Sequence, residues 1–524
     1  MIYILLLSLL FLWFFKAVKD ILFWLYLWQL KNYHFGRFMA HFRTNAGGKI
    51  ITNWFLLLIF ALIARATVNY ENSFLTISLG LIYLLYCLYG FSSLTLKRFK
   101  KPEFTKKVLF LSFFTFIPLI IVSFLFSSFL LVVYTPEEAL PFFHAFLILL
   151  LIVDLLIPWF VSFVILLFQP ITIILRNRII NRARKKRKKL ENLLTIGITG
   201  SFGKSSVKEF LKAILSESFK VVSTEENKNS EMGVSEVILK NVNENHEIFL
   251  CEMGAYNRGG IKLLCSIAKP KIGIITGINS QHLATFGSQE NIIKAKFELI
   301  DCLPDEGLAV LNWESELVRD NFKRDIPNIK YGEDIWAEGV VIEKDKVKFK
   351  ACFKNGKSFK VEANLIGSQN IINLLCAIAV AKKLGMDLEE IASGIKKIKQ
   401  NNLFTSHKID YLNFTYSSNP SSVLAHLEHL KLWSGKKIII MPCLIELGNS
   451  SANVHASIGK KIDEVCDLAI ITSKECFKNL KSNKAVFINN PNEVYDKIRA
   501  NSSFESVVLL EGRIPEKIIN LLKK

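Results

Sequence analysis

Five apolar stretches dominate the first 175 residues of this 524-residue chain. They cover roughly residues 1–29, 51–68, 74–94, 108–134 and 143–175. A helix of about 20 apolar residues crosses the hydrocarbon layer of a bilayer, where the backbone must satisfy its own hydrogen bonds. The sequence therefore predicts an α-helical membrane domain at 1–175 with about five transmembrane helices.

Basic residues are distributed unevenly among the loops of this predicted domain. The loops at 30–50 and 95–107 contain four and six lysines or arginines, whereas VNYENS and TPEEAL contain none. Because basic loops remain on the cytoplasmic side, the N-terminus is expected outside and everything after about residue 176 in the cytoplasm. The expected location is the plasma membrane, with several membrane passes.

Four ionisable residues fall within the predicted spans, namely Lys16, Asp20, Arg65 and Asp154. Such groups are costly at membrane depth and often functional, so they could line a substrate path. Lys16 and Asp20 are four residues apart and could instead pair with each other on one face of a helix.

The segment 176–194 contains a basic run, RNRIINRARKKRKK, next to the last span. This pattern is typical of a juxtamembrane linker that contacts anionic lipid headgroups. The net charge of +20 therefore indicates membrane lipids as a partner and not nucleic acid. The nine cysteines form no CxxC pair and show no metal-ligand spacing, which predicts reduced, mostly buried thiols in the cytosol.

The stretch TGSFGKSS, residues 199–206, lies between an apolar run at 193–198 and a segment at 207–215 with helical apolar spacing. Strand, glycine loop and helix in this order form a phosphate-binding loop. Backbone N–H groups bind phosphate, a lysine reaches the terminal phosphates, and a hydroxyl ligates magnesium. The predicted nucleotide-binding residues of this loop are Gly200, Ser201, Gly203, Lys204, Ser205 and Ser206.

Several segments together resemble the Mur ligases, the ATP-dependent amide-bond-forming enzymes of peptidoglycan synthesis. The loop GITGSFGKSSVKEFL is followed by NKNSEMG, the long block at 251–300, GSQNIINLLCAIAVAKKLG, YSSNP and IELG in the family's order. The resemblance covers about 195–524 and is strongest to the branch that adds D-alanyl-D-alanine.

This resemblance implies ATP and Mg²⁺ as cofactors and a peptidoglycan precursor as substrate. Lys204, His282 and Lys296 would be catalytic. Ser205 and Glu252 would hold one magnesium ion, and His282 with a carbamylated Lys296 would hold a second. Further positions are implied for the nucleotide, Asn370 and Asn373, and for the acceptor-facing loop, Asn227, Asn229 and Ser230.

The sequence also departs from the family's motifs at several positions. The family's TN pair is Thr276-Gly277, Gln369 replaces a histidine, and no arginine stands between Lys397 and His407. Acidic positions are occupied by Asn413 and Phe414. These changes predict a competent central domain and an adapted C-terminal half.

The apolar domain stands where soluble relatives have a domain that binds the UDP-sugar. This replacement favours a lipid-linked peptidoglycan precursor as the acceptor. The expected soluble fold is α/β, with a P-loop central ATPase domain at 195–400, a strand-rich insertion near 330–365, and a Rossmann-like domain at 401–524. Two alternatives remain: a nucleotide-binding scaffold that recruits cell-wall enzymes, and a ligase for another acid such as a polyglutamate.

Overall fold

The structure is a computed structural model with two compact units, 1–175 and 176–524, which are described separately. It describes the chain except residues 1, 32, 34, 43–46, 48–57, 59, 60, 62–72, 97, 98, 133–138, 226, 227, 256, 280–285, 400, 401, 416–418, 445, 446, 448, 449 and 524. The first unit is helical and the second is α/β, as the sequence predicts.

The first unit contains five helices within the described residues. They are α1 (Ile2–Leu30), α2 (Phe35–Phe42), α3 (Ser73–Thr95), α4 (Lys106–Val132) and α5 (Ala139–Leu167). Windows in α3, α4 and α5 are long and apolar enough to cross a membrane. The first predicted span corresponds to α1, which carries three charged residues, and the second lies outside the described residues except for residues 58 and 61.

A buried polar cluster joins α1, α3 and α5. Lys16 Nζ lies 2.5 Å from Asp154 Oδ2 and 3.0 Å from Asp20 Oδ2, so the predicted Lys16–Asp20 pairing is confirmed. Tyr83 donates a hydrogen bond to Asp154 Oδ2 at 2.8 Å, and Trp13 donates one to Asp154 Oδ1 at 3.0 Å. Neutralisation by Lys16 and hydrogen bonding allow Asp154 to be buried. Arg65 lies outside the described residues.

The basic run is part of a helix, α6 (Gln169–Lys189), whose second half packs on the α/β unit. Arg187 is buried and donates hydrogen bonds to the carbonyls of Ala268, Leu190 and Leu193 at 2.7–2.9 Å. The contact with lipid headgroups stays a prediction for the exposed members of the run, whereas Arg187 has a structural role.

The central sheet has nine strands in the order β2-β3-β1-β4-β5-β6-β7-β8-β9. The strands are β1 (Leu194–Thr199), β2 (Val221–Ser223), β3 (Ile248–Glu252), β4 (Ile272–Ile275), β5 (Leu308–Asn312), β6 (Asn328–Tyr331), β7 (Ile335–Ile342), β8 (Val347–Phe353) and β9 (Ser358–Ala363). Strands β2 to β7 pair in parallel. Strands β7, β8 and β9 pair antiparallel and lie in the strand-rich insertion that the sequence predicts near 330–365.

Helices cover both faces of this sheet. They are α7 (Lys204–Leu215), α8 (Glu231–Lys240), α9 (Gly260–Ala268), α10 (Gln289–Asp301), α11 (Glu316–Arg319), α12 (Gln369–Lys383) and α13 (Leu388–Lys396). Successive residues of a strand point to opposite faces. Ile248 and Leu250 accordingly join one hydrophobic core, whereas Phe249 and Cys251 join the other. This two-sided burial explains why the central strands are continuously apolar.

The second sheet has six strands in the order β10-β11-β15-β12-β13-β14, and only the β10–β11 pair is antiparallel. Its strands are β10 (Leu403–Ser406), β11 (Ile409–Phe414), β12 (Lys437–Met441), β13 (Leu468–Ile471), β14 (Ala485–Phe487) and β15 (Val507–Glu511). Its helices are α14 (Pro420–His429), α15 (Ser451–Val465), α16 (Lys474–Leu480), α17 (Pro491–Asn501) and α18 (Glu516–Leu522). Each sheet falls within one predicted domain range, and the boundary at 400 stays a prediction.

Candidate functional site

The loop between β1 and α7 has the backbone geometry that its glycines permit. Gly203 has φ +77°, and a Cβ at this position would lie 2.6 Å from Asn373 Oδ1. A Cβ at Gly200 would collide with Thr276 Oγ1. The loop therefore turns tightly against α12 and β4, and it leads into the N-terminus of α7, where free N–H groups favour an anion.

Lys204 folds back over this loop. Its Nζ donates hydrogen bonds to the carbonyls of Gly200 at 2.8 Å and Ser201 at 3.4 Å. Burial lowers the pKa of Lys204, and the nearby carboxylate of Glu252 acts in the opposite direction. The ammonium group is thus held at the loop that the sequence assigns to phosphate.

Glu252, the last residue of β3, connects two other predicted site residues. Its Oε2 accepts a hydrogen bond from Ser205 Oγ at 2.9 Å, and its Oε1 accepts one from Asn229 Nδ2 at 3.0 Å. Hydroxyl and carboxylate oxygens are the ligands that Mg²⁺ prefers. Ser205 and Glu252 therefore fit the predicted metal site, and Asn229 links it to the predicted acceptor loop.

Lys208 is a member of this site that the sequence analysis missed. The side chain is buried, donates a hydrogen bond to Thr224 O at 2.8 Å, and lies 3.6 Å from Glu252 Oε2. Lys208 lies one helical turn after Lys204 on α7. This four-residue spacing in GKSSVK places both lysines on the same face of the helix, which is the feature of the sequence that could have indicated Lys208.

Lys296 is buried on α10, with 2% of its surface exposed. Burial lowers its pKa to about 7, and repulsion from Lys204 acts in the same direction. The amine is consequently uncharged in much of the population near neutral pH, which is the form that reacts with carbon dioxide.

The remaining predicted residues have varied surroundings. Asn373 contacts Gly203, and Asn370 donates a hydrogen bond from Nδ2 to Ile366 O at 2.8 Å. Ser230 caps α8 by accepting a hydrogen bond from the Gly233 N–H at 3.3 Å.

Of the four further predicted positions, two lie within the described residues and two lie outside them. Ser201 Oγ accepts a hydrogen bond from the Asn279 N–H at 3.2 Å, and Ser206 lies in the first turn of α7. Asn227 and His282 lie outside the described residues.

Thr276-Gly277, one of the departures from the family pattern, supports the loop from β4. The Thr276 hydroxyl donates hydrogen bonds to the carbonyls of Thr199 and Phe202. A Cβ on Gly277 would collide with the ring of Phe202. The glycine thus makes room for an aromatic residue within the phosphate loop.

A second buried polar group occupies the carboxyl ends of β11 and β15. Phe414 stacks on the His426 ring with centroids 3.5 Å apart, and His426 Nδ1 lies 2.7 Å from Glu511 Oε2. Phe414 and Glu511 are paired across the two strands. The acidic group at this edge is therefore supplied by β15, which the sequence analysis did not anticipate.

Comparison with known proteins identifies the central part of this site. Residues 198–381 match the family described as the Mur ligase middle domain. This range contains the phosphate loop, Glu252 and Lys296.

Curated proteins that are similar to this chain are named UDP-N-acetylmuramoyl-tripeptide–D-alanyl-D-alanine ligase. The protein from Synechocystis sp. is 33% identical over 274 residues, which cover 51% of this chain and 59% of the relative. The one from Bacillus subtilis is 25% identical and is covered over 75% of its length. The chain spans about three fifths of the Synechocystis relative.

Solved structures show the same fold for about two thirds of the chain. MurF from Acinetobacter baumannii has a TM-score of 0.63 at 24% identity, covering 67% of this chain and 81% of that one. MurF from Thermotoga maritima in complex with ADP has a TM-score of 0.61 at 24% identity, covering 66% and 83%. These similarities establish an α/β fold of the Mur ligase type with mixed sheets.

Proposed function

We propose that this protein is an ATP-dependent Mur-type amide ligase of peptidoglycan precursor synthesis. It would activate a carboxylate as an acyl phosphate and join it to an amino acid or dipeptide, with D-alanyl-D-alanine as the first candidate. The observation that carries this proposal is the contact of Glu252 with both Ser205 of the phosphate loop and Asn229 of the predicted acceptor loop.

The residues of the site divide the work of phosphoryl transfer. The loop N–H groups and Lys204 bind the phosphates, and Asn373 lies against the loop at Gly203. Ser205 and Glu252 would hold magnesium, which neutralises phosphate charge and favours transfer to the acceptor carboxylate. Asn229 fixes the orientation of Glu252. The incoming amine then displaces phosphate from the acyl phosphate, and the carbonyl carbon gains the amide nitrogen as the phosphate leaves.

Lys296 is proposed to act as a carbamate. The neutral amine attacks carbon dioxide, a C–N bond forms, and a proton is released to solvent. The resulting anion would, together with His282, hold a second magnesium ion. The buried position of Lys296 and the lowered pKa of its amine favour the carbamate over a free ammonium group.

Membrane attachment and a lipid-linked acceptor are further parts of the proposal. Three apolar helices of sufficient length precede the ligase domain, and the match to the family begins only at residue 198. A ligase tethered to the cytoplasmic face would meet precursors whose polyprenyl chain lies in the same membrane.

The direct test uses full-length protein in detergent with ATP, Mg²⁺, D-alanyl-D-alanine and a peptidoglycan tripeptide precursor. Phosphate release should require the acceptor, and mass spectrometry should detect the amide product. Lys204→Ala should lower the rate at least about 100-fold because a phosphate-binding charge is lost. Lys212→Ala changes an exposed lysine on the same helix and should leave the rate unchanged.

Supplying the tripeptide as a UDP-linked or a polyprenyl-linked precursor separates the two acceptor classes. Faster product formation from the lipid-linked form is expected. Equal use of the soluble form would disprove the lipid-linked part while leaving the ligase proposal intact.

A scaffold function is the second candidate, and the exchange of acidic residues for Asn413 and Phe414 favours it. ATP binding without phosphate release, with either precursor and with any amine tested, would support the scaffold over the ligase.

A further inference from the structure

Three potential metal ligands converge at the carboxyl edge of the second sheet. Cys443 follows β12, His455 lies on α15, and Cys476 lies on α16. Their ligand atoms lie within 4.8 Å of one another. His455 and Cys476 are fully buried, and Cys443 is partly exposed. The three residues are separated by 12 and 21 positions, which is why spacing along the sequence gave no sign of the cluster.

Hydrogen bonding prepares His455 to act as a ligand. Its Nδ1 lies 2.7 Å from Ser451 O, so Nδ1 carries the proton and donates it to this carbonyl. Nε2 accepts a hydrogen bond from the Leu444 N–H at 3.1 Å and therefore carries the lone pair. Metal-binding histidines usually donate their second ring N–H to a carbonyl or carboxylate in this way, which fixes the tautomer and the ring orientation.

The distances among the three ligand atoms suit a small cation that binds thiolates. With Zn–S distances of about 2.3 Å and Zn–N distances of about 2.1 Å, the ligand atoms of a tetrahedral zinc site lie roughly 3.5–3.8 Å apart. Contraction of the cluster by at most roughly 1.3 Å would reach this geometry. Ser473 Oγ lies 3.3 Å from Cys443 Sγ, so a hydroxyl oxygen adjoins the cluster.

The ligand chemistry distinguishes this cluster from the ATP site. Two thiolates and an imidazole favour Zn²⁺, whereas Mg²⁺ prefers the oxygen ligands found at Ser205 and Glu252. A single buried cysteine is more often a small apolar core residue. Here, donors from three separate elements meet, and no other group of three His, Cys, Asp or Glu ligands this close was found in the part of the chain that the structure describes.

We propose that Cys443, His455 and Cys476 form a Zn²⁺ site. Binding releases the two thiol protons to solvent, and Nε2 exchanges the Leu444 N–H for the metal. The fourth position is taken by water or by the Ser473 hydroxyl. The ion would tie the segment after β12 to α15 and α16. This role is separate from the proposed ligase activity and does not depend on it.

The test measures zinc binding to full-length protein in detergent after removal of metals with a chelator. Competition against a chromophoric zinc chelator should give one tightly bound Zn²⁺ per chain. Substitution with Co²⁺ should produce thiolate-to-metal charge-transfer absorption. Cys476→Ser and His455→Gln should each weaken zinc binding at least about 100-fold. Each variant removes a direct ligand, and losing even an outer-shell hydrogen-bond partner weakens metal binding about 10–100-fold.

Cys466→Ser is the matched control, because Cys466 is buried in the same hydrophobic core but outside the cluster. It should retain wild-type zinc affinity. If Cys476→Ser fails to fold, Cys443→Ser tests the same prediction at the partly exposed ligand.

Zinc affinity that is unchanged in the Cys443, His455 and Cys476 variants would overturn the proposal, since the ion would then bind elsewhere. Absence of tight zinc binding in the folded wild type would also overturn it. A Cys443–Cys476 disulfide in freshly isolated protein, with no zinc bound after mild reduction, would overturn it in favour of a redox pair.

Discussion

At the scale of single residues, Glu252 receives hydrogen bonds from two different loops and lies near a buried lysine. Ser205 and Asn229 each bind one of its carboxylate oxygens, and Lys208 lies 3.6 Å from Oε2. The carboxylate is therefore fixed before any ligand arrives. Such preorganisation is what makes a charged group effective in phosphoryl transfer.

Replacing Glu252 by glutamine tests this role. The amide retains the size of the side chain and removes the negative charge that magnesium requires, so ATP-dependent phosphate release should fall at least about 100-fold. Initial rates over a range of Mg²⁺ concentrations measure the effect. Glu209→Gln is the control, because Glu209 lies 3.3 Å from the same Lys208 but is exposed. A similar loss in both variants would contradict the metal role.

Lys296 provides a pH-dependent prediction. Its pKa of about 7 means that the amine is mostly neutral at pH 8 and mostly protonated at pH 6. With ¹³C-labelled bicarbonate, a carbamate NMR signal should appear at pH 8 and disappear as the pH falls to 6.

The carbamate signal should be absent in Lys296→Ala. It should persist in Lys294→Ala, which removes an exposed lysine from the same helix. A signal that survives in Lys296→Ala would assign the carbamate to another amine.

At the scale of elements, the phosphate loop depends on how closely α12 approaches it. Gly203 and Gly259 both precede a helix with positive φ, +77° and +83°. Only Gly203 has a neighbour, Asn373, in the space that a Cβ would occupy. A substitution at Gly259 therefore introduces backbone strain alone, whereas the same substitution at Gly203 introduces backbone strain and a steric collision.

Alanine at each position provides the comparison. Both variants should lose about 1–2 kcal/mol of stability from the left-handed backbone. Only Gly203→Ala should also lose ATP binding, by at least about tenfold, because the loop must move away from Asn373. Thermal unfolding and calorimetric titration with ATP measure the two effects. Equal ATP affinity in both variants would show that Asn373 does not constrain the loop.

Much of the fold was predictable because its signals are local. The strand, loop and helix around TGSFGKSS and the alternating β7–β9 strands follow from neighbouring residues, and the structure confirms both. The Glu511–His426 pair, Lys208 beside Glu252 and the Cys443 cluster were missed. Their partners are distant in sequence, so only tertiary structure brings them together, although the spacing of Lys208 from Lys204 places both lysines on one face of α7. Arg187 could not be predicted for a different reason. It lies in a run of basic residues, and the sequence does not show which member of the run is buried.

At the scale of the whole molecule, the proposed topology places the ligase unit on the cytoplasmic side. A tag after Lys524 should become accessible to antibody only after the cells are permeabilised. The protein should stay in the membrane fraction after alkaline carbonate extraction, because several apolar helices hold it there. Release by carbonate would show that these helices do not span the bilayer.

The Lys16–Asp154 contact has a consequence for biosynthesis. Helix α1 leaves the ribosome with Lys16, Lys19 and Asp20 in its interior, and the carboxylate nearest to Lys16 follows 138 positions later in the chain. In the proposed membrane topology, the newly made α1 contains two lysines and only one carboxylate, so one positive charge has no counter-charge until Asp154 of α5 has been inserted. Chains truncated before Asp154 should be degraded faster than chains truncated after α5, which pulse-chase labelling would reveal. In this topology, α1 reaches its stable position only after α5 has been inserted.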